Sequence, residues 1–242
     1  MNNDVRPLKQ LTIGVLGGCS NVATGEYYKL LNSAVNARIG GWEIAETLIV
    51  GMNFGNIEAF VRSEDWDGLS MYMDEKVGML ARAGADLVLC VSNTLHRHLE
   101  PIVKKYGLPF IHIADPTGEA IQKSGLKRIA LFGTRPVMEM DYLISRYRDK
   151  FGIEIVVPKQ LERIDIDKII FEELVKFKVL ESSQARYLDI ADRLVAEEGA
   201  EGLILGCTEI FLLLKQEQRT ELPMFNTTEL HCQAAVSFAL DA

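Results

Sequence analysis

The sequence predicts an α/β protein of two pseudo-symmetric, doubly wound domains, each with a mainly parallel sheet flanked by helices. Three observations carry this prediction. Short β-prone apolar runs alternate with stretches whose apolar residues recur at helical spacing. Several runs, such as 87–91 and 203–205, are apolar throughout, as strands covered on both faces are. The second half also echoes the first at a nearly fixed offset. Ile13 and Gly17 match Ile129 and Gly133 after 116 residues, Gly84-Ala85-Asp86 matches Gly199-Ala200-Glu201 after 115, and Leu108-Pro109 matches Leu222-Pro223 after 114. Repetition in one order at domain length means the same α/β unit built twice.

Taken in order, residues 11–16 form the first strand, broken by Gly17-Gly18-Cys19-Ser20. A helix follows from about Ala23, with Tyr27, Leu30, Leu31, Ala34 and Val35 on its apolar face. Residues 47–52 are a second strand ending at Asn53-Phe54, and 67–83 a helix with Leu69, Met73, Val77 and Leu80 inward. A strand at 87–91, a helix at 94–106 and a strand at 109–113 come next. Pro116 opens another helix, since proline is tolerated in a first turn. The pattern then restarts with a strand at 128–132 before Gly133-Thr134, a helix at 138–150 and a strand at 153–157 closed by Pro158. Helices at 166–178 and 183–198, a strand at 203–205, a short helix at 211–216, a strand at 224–225 and a helix at 231–240 complete the chain. The domains are expected at 1–118 together with 226–242, and at 119–225, with a ligand cleft between them.

Composition narrows the function. A net charge of −8 argues against a nucleic-acid partner, which selects a basic face. No apolar run reaches the length of a membrane span, and the polar stretch 1–10 has no signal-peptide core, so a cytoplasmic protein is expected. Four cysteines without CxxC spacing suggest neither a zinc site nor a disulfide framework, and Cys19 and Cys232 read as packing residues. The GVLGG turn is not a GxGxxG fingerprint, so its glycines, Gly18 among them, serve close backbone approach to a ligand or close packing.

The chemistry concentrates at two strand ends. Leu203-Ile204-Leu205-Gly206-Cys207-Thr208-Glu209 delivers a thiol and a hydroxyl just past an apolar run, where open α/β sheets bind ligands. Leu87 to Thr94 has the same build, with Ser92 standing where the other has Cys207, 115 residues on. Two acid–base groups on opposite walls of one cleft suit inversion of a carbon, one removing a proton and the other returning one from the far side. A thiol with an ordinary pKa of about 8.5 can be tuned for this work. Asn93, Thr94 and Thr208 place short hydrogen-bonding groups beside both positions, and helices starting after them favour an anionic substrate. Thr134, after the glycine that echoes Gly17, is a further candidate contact. Arg62, Arg135 and Lys168 are candidates for a distal carboxylate, with solvated surface charge as the alternative for each.

These stretches resemble a known family. VSNTLH is similar to the first signature of the aspartate/glutamate racemase family, whose usual core is a cysteine followed by Asn-Thr, and LILGCTEI is similar to the second. The GVLGG start and the Asn53-Phe54 pair are similar too, so the resemblance covers nearly the whole chain. It implies a cofactor-independent racemase, commonly a homodimer, acting on a small acidic amino acid. Ser92 and Cys207 take the places of the proton-transfer groups, with Asn93, Thr94 and Thr208 as carboxylate and ammonium binders and Gly18, Asn53 and Thr134 as further substrate-binding positions. The chain carries no convincing pyridoxal-phosphate lysine and no metal-ligand cluster.

Two residues depart from the pattern. Ser92 stands where the family usually has cysteine, and a hydroxyl is a far weaker acid than a thiol. Cys90 lies further inside the sheet and does not replace it, while His96 is the nearest candidate activator, with a structural hydrogen bond as its alternative role. Phe211 is bulky where the second signature usually has a small or polar residue, and either narrows the cleft or packs the core. Ser92 therefore keeps two other readings open: a single-thiol decarboxylase or cis–trans isomerase of a small dicarboxylic acid, and a non-catalytic amino-acid binding protein.

Overall fold

The computed structural model describes residues 8–241, so the polar stretch 1–10 lies outside it except for its last three residues. Two parallel sheets form. In the first, β1 (Ile13–Gly17) lies between β2 (Thr47–Gly51) and β3 (Leu87–Cys90). In the second, β4 (Arg128–Phe132) lies between β5 (Glu154–Val156) and β6 (Gly202–Leu205), with β7 (Met224–Asn226) beyond β6. β4 thus repeats the place of β1, and β6 that of β3. β1, β3 and β6 are buried along their whole length.

Burial on both faces follows from the helices. One face of the first sheet packs Leu16, Val88 and Cys90 against α3 (Trp66–Arg82) and α4 (His96–Lys105). The other packs Ile13, Val15, Leu87 and Leu89 against α1 (Asn21–Ile39) and α10 (Thr227–Asp241). In the second sheet, alternation along β4 sends Ala130 and Phe132 toward α8 (Gln160–Glu172) and α9 (Glu181–Glu198). Ile129 and Leu131 go toward α5 (Ala114–Ser124) and α7 (Asp141–Phe151). The predicted fold class is the observed one. Residue 118 falls in the middle of α5, whose Ala114 and Ile121 belong to the core of the second sheet.

Several elements differ from the reading of the sequence. The strand expected at 109–113 is a single bridge, Val88 to Phe110, because the next carbonyl, Ile111 O, is taken by His231 Nε2 at 2.9 Å. The stretch after Asn53 is helical as α2 (Phe54–Arg62), capped by the Asn53 side chain, which accepts from Gly55 N–H. The helix expected at 138–150 is two, α6 (Arg135–Glu139) and α7, parted at Met140, whose backbone is extended. The helix expected at 166–178 starts earlier, as α8 at Gln160, and gives way after Glu172 to a 3-10 turn, Leu174–Lys176. The short helix at 211–216 is two 3-10 turns, Ile210–Leu212 and Gln216–Gln218.

Candidate active site

Parallel pairing sends all strands of a sheet out at one edge. The loops leaving β1, β3, β4 and β6 meet in one cavity of about 960 Å³, contributing Cys19, Ser92 to Leu95, Thr134 to Pro136, and Gly206 to Glu209. Both halves therefore line it. Ser92 and Cys207 sit at equivalent places, each two residues past its strand. α2, α6 and α8, with Trp66 of α3 and the 3-10 turn Leu174–Lys176, supply much of the remaining wall, where Phe54 stacks on Phe171 with ring centroids 6.3 Å apart.

Cys207 is buried, and its Sγ donates to Glu209 Oε2 at 3.0 Å. Thr208 Oγ1 donates to the same oxygen at 3.0 Å, and Ser20 Oγ donates to Oε1. Burial, then the Glu209 charge, pushes the thiol well above its ordinary range, so it rests protonated. Burial also raises the Glu209 carboxyl, against the pull of the hydroxyl and thiol donors.

Ser92 is placed differently. Its Oγ accepts from Leu95 N–H at 3.3 Å. His96 Nδ1 lies 2.5 Å from the Ser92 carbonyl oxygen and must donate to it, so it does not reach the hydroxyl. Among the described residues its buried Nε2 has no partner in good hydrogen-bond geometry, and burial, then His112, holds the ring well below the ordinary histidine range. Among the described residues no carboxylate or imidazole hydrogen-bonds the Ser92 hydroxyl.

Neighbouring groups tie the two halves together. Thr94 Oγ1 and Thr134 Oγ1 are 3.1 Å apart. Asn93 is buried; its Nδ2 donates to Thr227 Oγ1 at 3.2 Å, and Thr227 donates on to Leu205 O at 2.9 Å. That chain fixes the amide orientation and leaves Asn93 Oδ1 buried without a partner among the described residues. Tyr142 donates to the Asn93 carbonyl from the second half.

Of the positions read from the sequence, Ser92, Asn93, Thr94, Thr134, Cys207 and Thr208 line the cavity, whereas Gly18 and Asn53 do not. Gly18 has φ +83°, and a Cβ there would meet Met52 O at 2.0 Å, so backbone packing explains this glycine. Asn53 is exposed and serves as the α2 cap. Phe211 is also off the lining. Arg62, Arg135 and Lys168 do reach it, each paired with a carboxylate on its own helix: Glu58 at 2.5 Å, Glu139 at 3.1 Å and Glu172 at 3.9 Å. Cys19 packs in the core of the first sheet as expected and also reaches the wall, as does Lys176, which the sequence did not single out. The signal for Cys19 was available: it follows the first strand as closely as Ser92 follows the third.

The Asp/Glu/Hydantoin racemase family model matches residues 15–235. A crystal structure of a candidate Asp/Glu racemase from Yersinia pestis is similar with a TM-score of 0.86 and 34% identity, over 95% of this chain and 99% of that one. An aspartate racemase homologue from Pyrococcus horikoshii OT3 gives 0.81 and 30%, over 94% and 98%. The aspartate racemase of Picrophilus torridus, at 20% identity and TM-score 0.75 over 94% and 93%, shares the fold.

Proposed function

The chain belongs to the Asp/Glu/Hydantoin racemase family and is an amino-acid racemase, and from that premise we propose that it interconverts the enantiomers of aspartate or glutamate by proton transfer at Cα between Cys207 and Ser92. The observation that carries the reading is the meeting of two equivalent strand-end loops, one with a thiol and one with a hydroxyl, at a single cavity fed by both halves. Cys207, once deprotonated, takes the Cα proton, and Ser92 returns one to the opposite face. Thr94 and Thr134 hold the α-carboxylate, and Thr208 Oγ1, whose own proton goes to Glu209, accepts from the ammonium beside Asn93. Arg62, Arg135 or Lys168 holds the distal carboxylate by exchanging its helix partner for the substrate. Every group invoked belongs to the chain, so the reading needs neither metal nor pyridoxal phosphate. Four free, buried cysteines fit a reducing compartment, which supports a cytoplasmic location, and the family resemblance supports a homodimer.

The two groups are unequal. Cys207 has a carboxylate acceptor for its proton, and Ser92 has none among the described residues. Proton removal from the two faces should therefore differ greatly in rate, although the equilibrium ratio cannot move. The test is the initial rate of Cα exchange in deuterated water from each enantiomer of aspartate and glutamate. Cys207→Ser is expected to lose exchange by 100-fold or more, on the order of a general base's contribution. Ser92→Cys is expected to raise the slower direction. Wild-type exchange in Cys207→Ser would overturn the assignment of the thiol. If Ser92→Cys improves neither direction, the unactivated hydroxyl is a binding group, and a single-thiol decarboxylase or isomerase of a dicarboxylic acid becomes the better reading.

A further inference from the structure

Glu209 is a buried carboxylate with no cation bonded to it among the described residues. Three donors converge on it instead. Thr208 and Cys207 give to Oε2, and Ser20 gives to Oε1 from the other half of the molecule. Ser20 is the N-cap of α1, and its Oγ also accepts from Ala23 N–H at 3.1 Å. Its backbone stands at φ 155° and ψ 159°, a region nearly reserved for glycine, so the surrounding structure must hold it there. A hydroxyl held on strained backbone and aimed at a buried carboxylate that has donors but no bonded cation, and that itself receives the candidate proton-transfer thiol, is an arrangement that packing alone does not require.

We propose that Glu209 is the positioning residue of Cys207: it orients the thiol and receives its proton through Oε2, while Ser20 fixes the carboxylate through Oε1. This rests on the reading of Cys207 as a proton-transfer group. In the step, the S–H bond of Cys207 breaks and an O–H bond forms on Glu209. That transfer leaves the pair with one proton and one negative charge. The thiolate then takes the Cα proton, so both groups end protonated and the negative charge passes to the substrate carbanion until the opposite face is reprotonated. Glu209 then gives up its extra proton to reset the site. Sharing one charge explains how a deeply buried thiol can become a base without a neighbouring cation. Other titratable groups around the pair are Cys19 after β1, Tyr27 on α1, Cys90 on β3, Asp167 on α8 and Tyr187 on α9. Neither Tyr27 nor Tyr187 ionises at working pH, since burial raises both.

The test has a readout that does not depend on activity. In the substrate-free protein, the rate of Cys207 alkylation by iodoacetamide is followed against pH by peptide mass spectrometry, in wild type, Glu209→Gln and Glu209→Asp. Removing the charge in Glu209→Gln is expected to move the alkylation profile of Cys207 to lower pH by about one unit or more. Exchange at Cα should fall by about 100-fold in kcat with KM changed only a few-fold. Glu209→Asp keeps the charge but shortens the reach, so it should retain the high-pH alkylation profile and still lose kcat. This second variant decides the matter if Glu209→Gln fails to fold. A wild-type alkylation profile in Glu209→Gln, or wild-type kcat in Glu209→Asp, would overturn the proposal. A loss confined to KM would also overturn it and make Glu209 an ammonium binder. If instead Cys207→Ser retains exchange while the alkylation profile still shifts in Glu209→Gln, the coupling stands and the proton-transfer reading of Cys207 is what fails.

Discussion

Gly18, expected in sequence either to bring the backbone close to a ligand or to allow close packing, is off the cavity lining and answers to the second. Its φ is +83°, and the nearest atoms to an added Cβ are backbone O and N of Met52 at 2.0 and 2.4 Å, which cannot yield as a flexible side chain would. Gly18→Ala is therefore expected to cost more than about 2 kcal/mol, a Tm loss of roughly 5 °C or more in a chain of this length. Gly25 is the internal control. It lies in α1 with nothing within 4 Å of an added Cβ, so Gly25→Ala should be neutral or stabilising by up to about 1 kcal/mol. Thermal unfolding of the two variants checks both signs, and equal Tm changes would contradict the argument. At this scale the sequence made Cys207 and Ser92 legible, because chemistry-bearing residues stood just past apolar runs. Glu209, beside Cys207 and Thr208 in the second signature, could be read in sequence as holding its own loop or orienting the ammonium; its bond to Ser20, 189 residues away, is one no local pattern reveals.

At the scale of elements, three histidines join α4, α10 and the bridge strand at Phe110. The His96 ring lies 4.8 Å from that of His112 and 5.6 Å from that of His231. His231 is held between Tyr27 Oη at 2.8 Å and Ile111 O at 2.9 Å. Burial in each case pushes His112 and His231 down to about 3. The unfolded chain, with histidines near 6.5, binds more protons than the folded one as pH falls below that value. Stability is thus complete above about pH 6.5 and is lost as pH drops toward 3, by up to about 1.4 kcal/mol per pH unit for each histidine. Glu209 and Asp167, raised mainly by burial, act in the opposite sense, so the share of His112 is isolated by subtracting the curve of His112→Gln. Urea unfolding between pH 7.5 and 4.5 makes the comparison; parallel curves for wild type and variant would contradict it. This cluster is also why the fourth strand shrank to a bridge. Local β propensity at 109–113 was real, but a tertiary side-chain bond claimed the Ile111 carbonyl. α2 is the reverse case, since Phe54, Ile57, Phe60 and Val61 follow an Asn cap at helical spacing and could have been read.

For the whole molecule, the two halves meet through Ser20 to Glu209, Thr94 to Thr134 and Tyr142 to Asn93. A ligand bridging the same loops should strengthen that junction. Aspartate or glutamate at 100 times its Kd is expected to stabilise by about 2.7 kcal/mol, a Tm rise of roughly 5–10 °C, with a neutral amino acid of similar size giving less. Dialysis against a strong chelator should leave both the shift and the exchange activity unchanged. No Tm response to either acidic amino acid would count against the substrate proposed, and activity restored by added metal or pyridoxal phosphate would count against the cofactor-free mechanism.

The sequence by itself determined the fold class, the doubling of the α/β unit and the two strand ends whose loops line the cavity. All three depend on local periodicity, and on a repeat that can be counted along the chain. Only the tertiary structure decided which of those residues share a wall. Gly18 and Asn53 were drawn into backbone packing and helix capping, while Cys19 and three paired cations were brought to the cavity. It also decided the inequality of Cys207 and Ser92, because the state of a buried thiol or hydroxyl is set by burial and by the partners folding brings within hydrogen-bond reach. Cys207 gained a carboxylate and Ser92 did not.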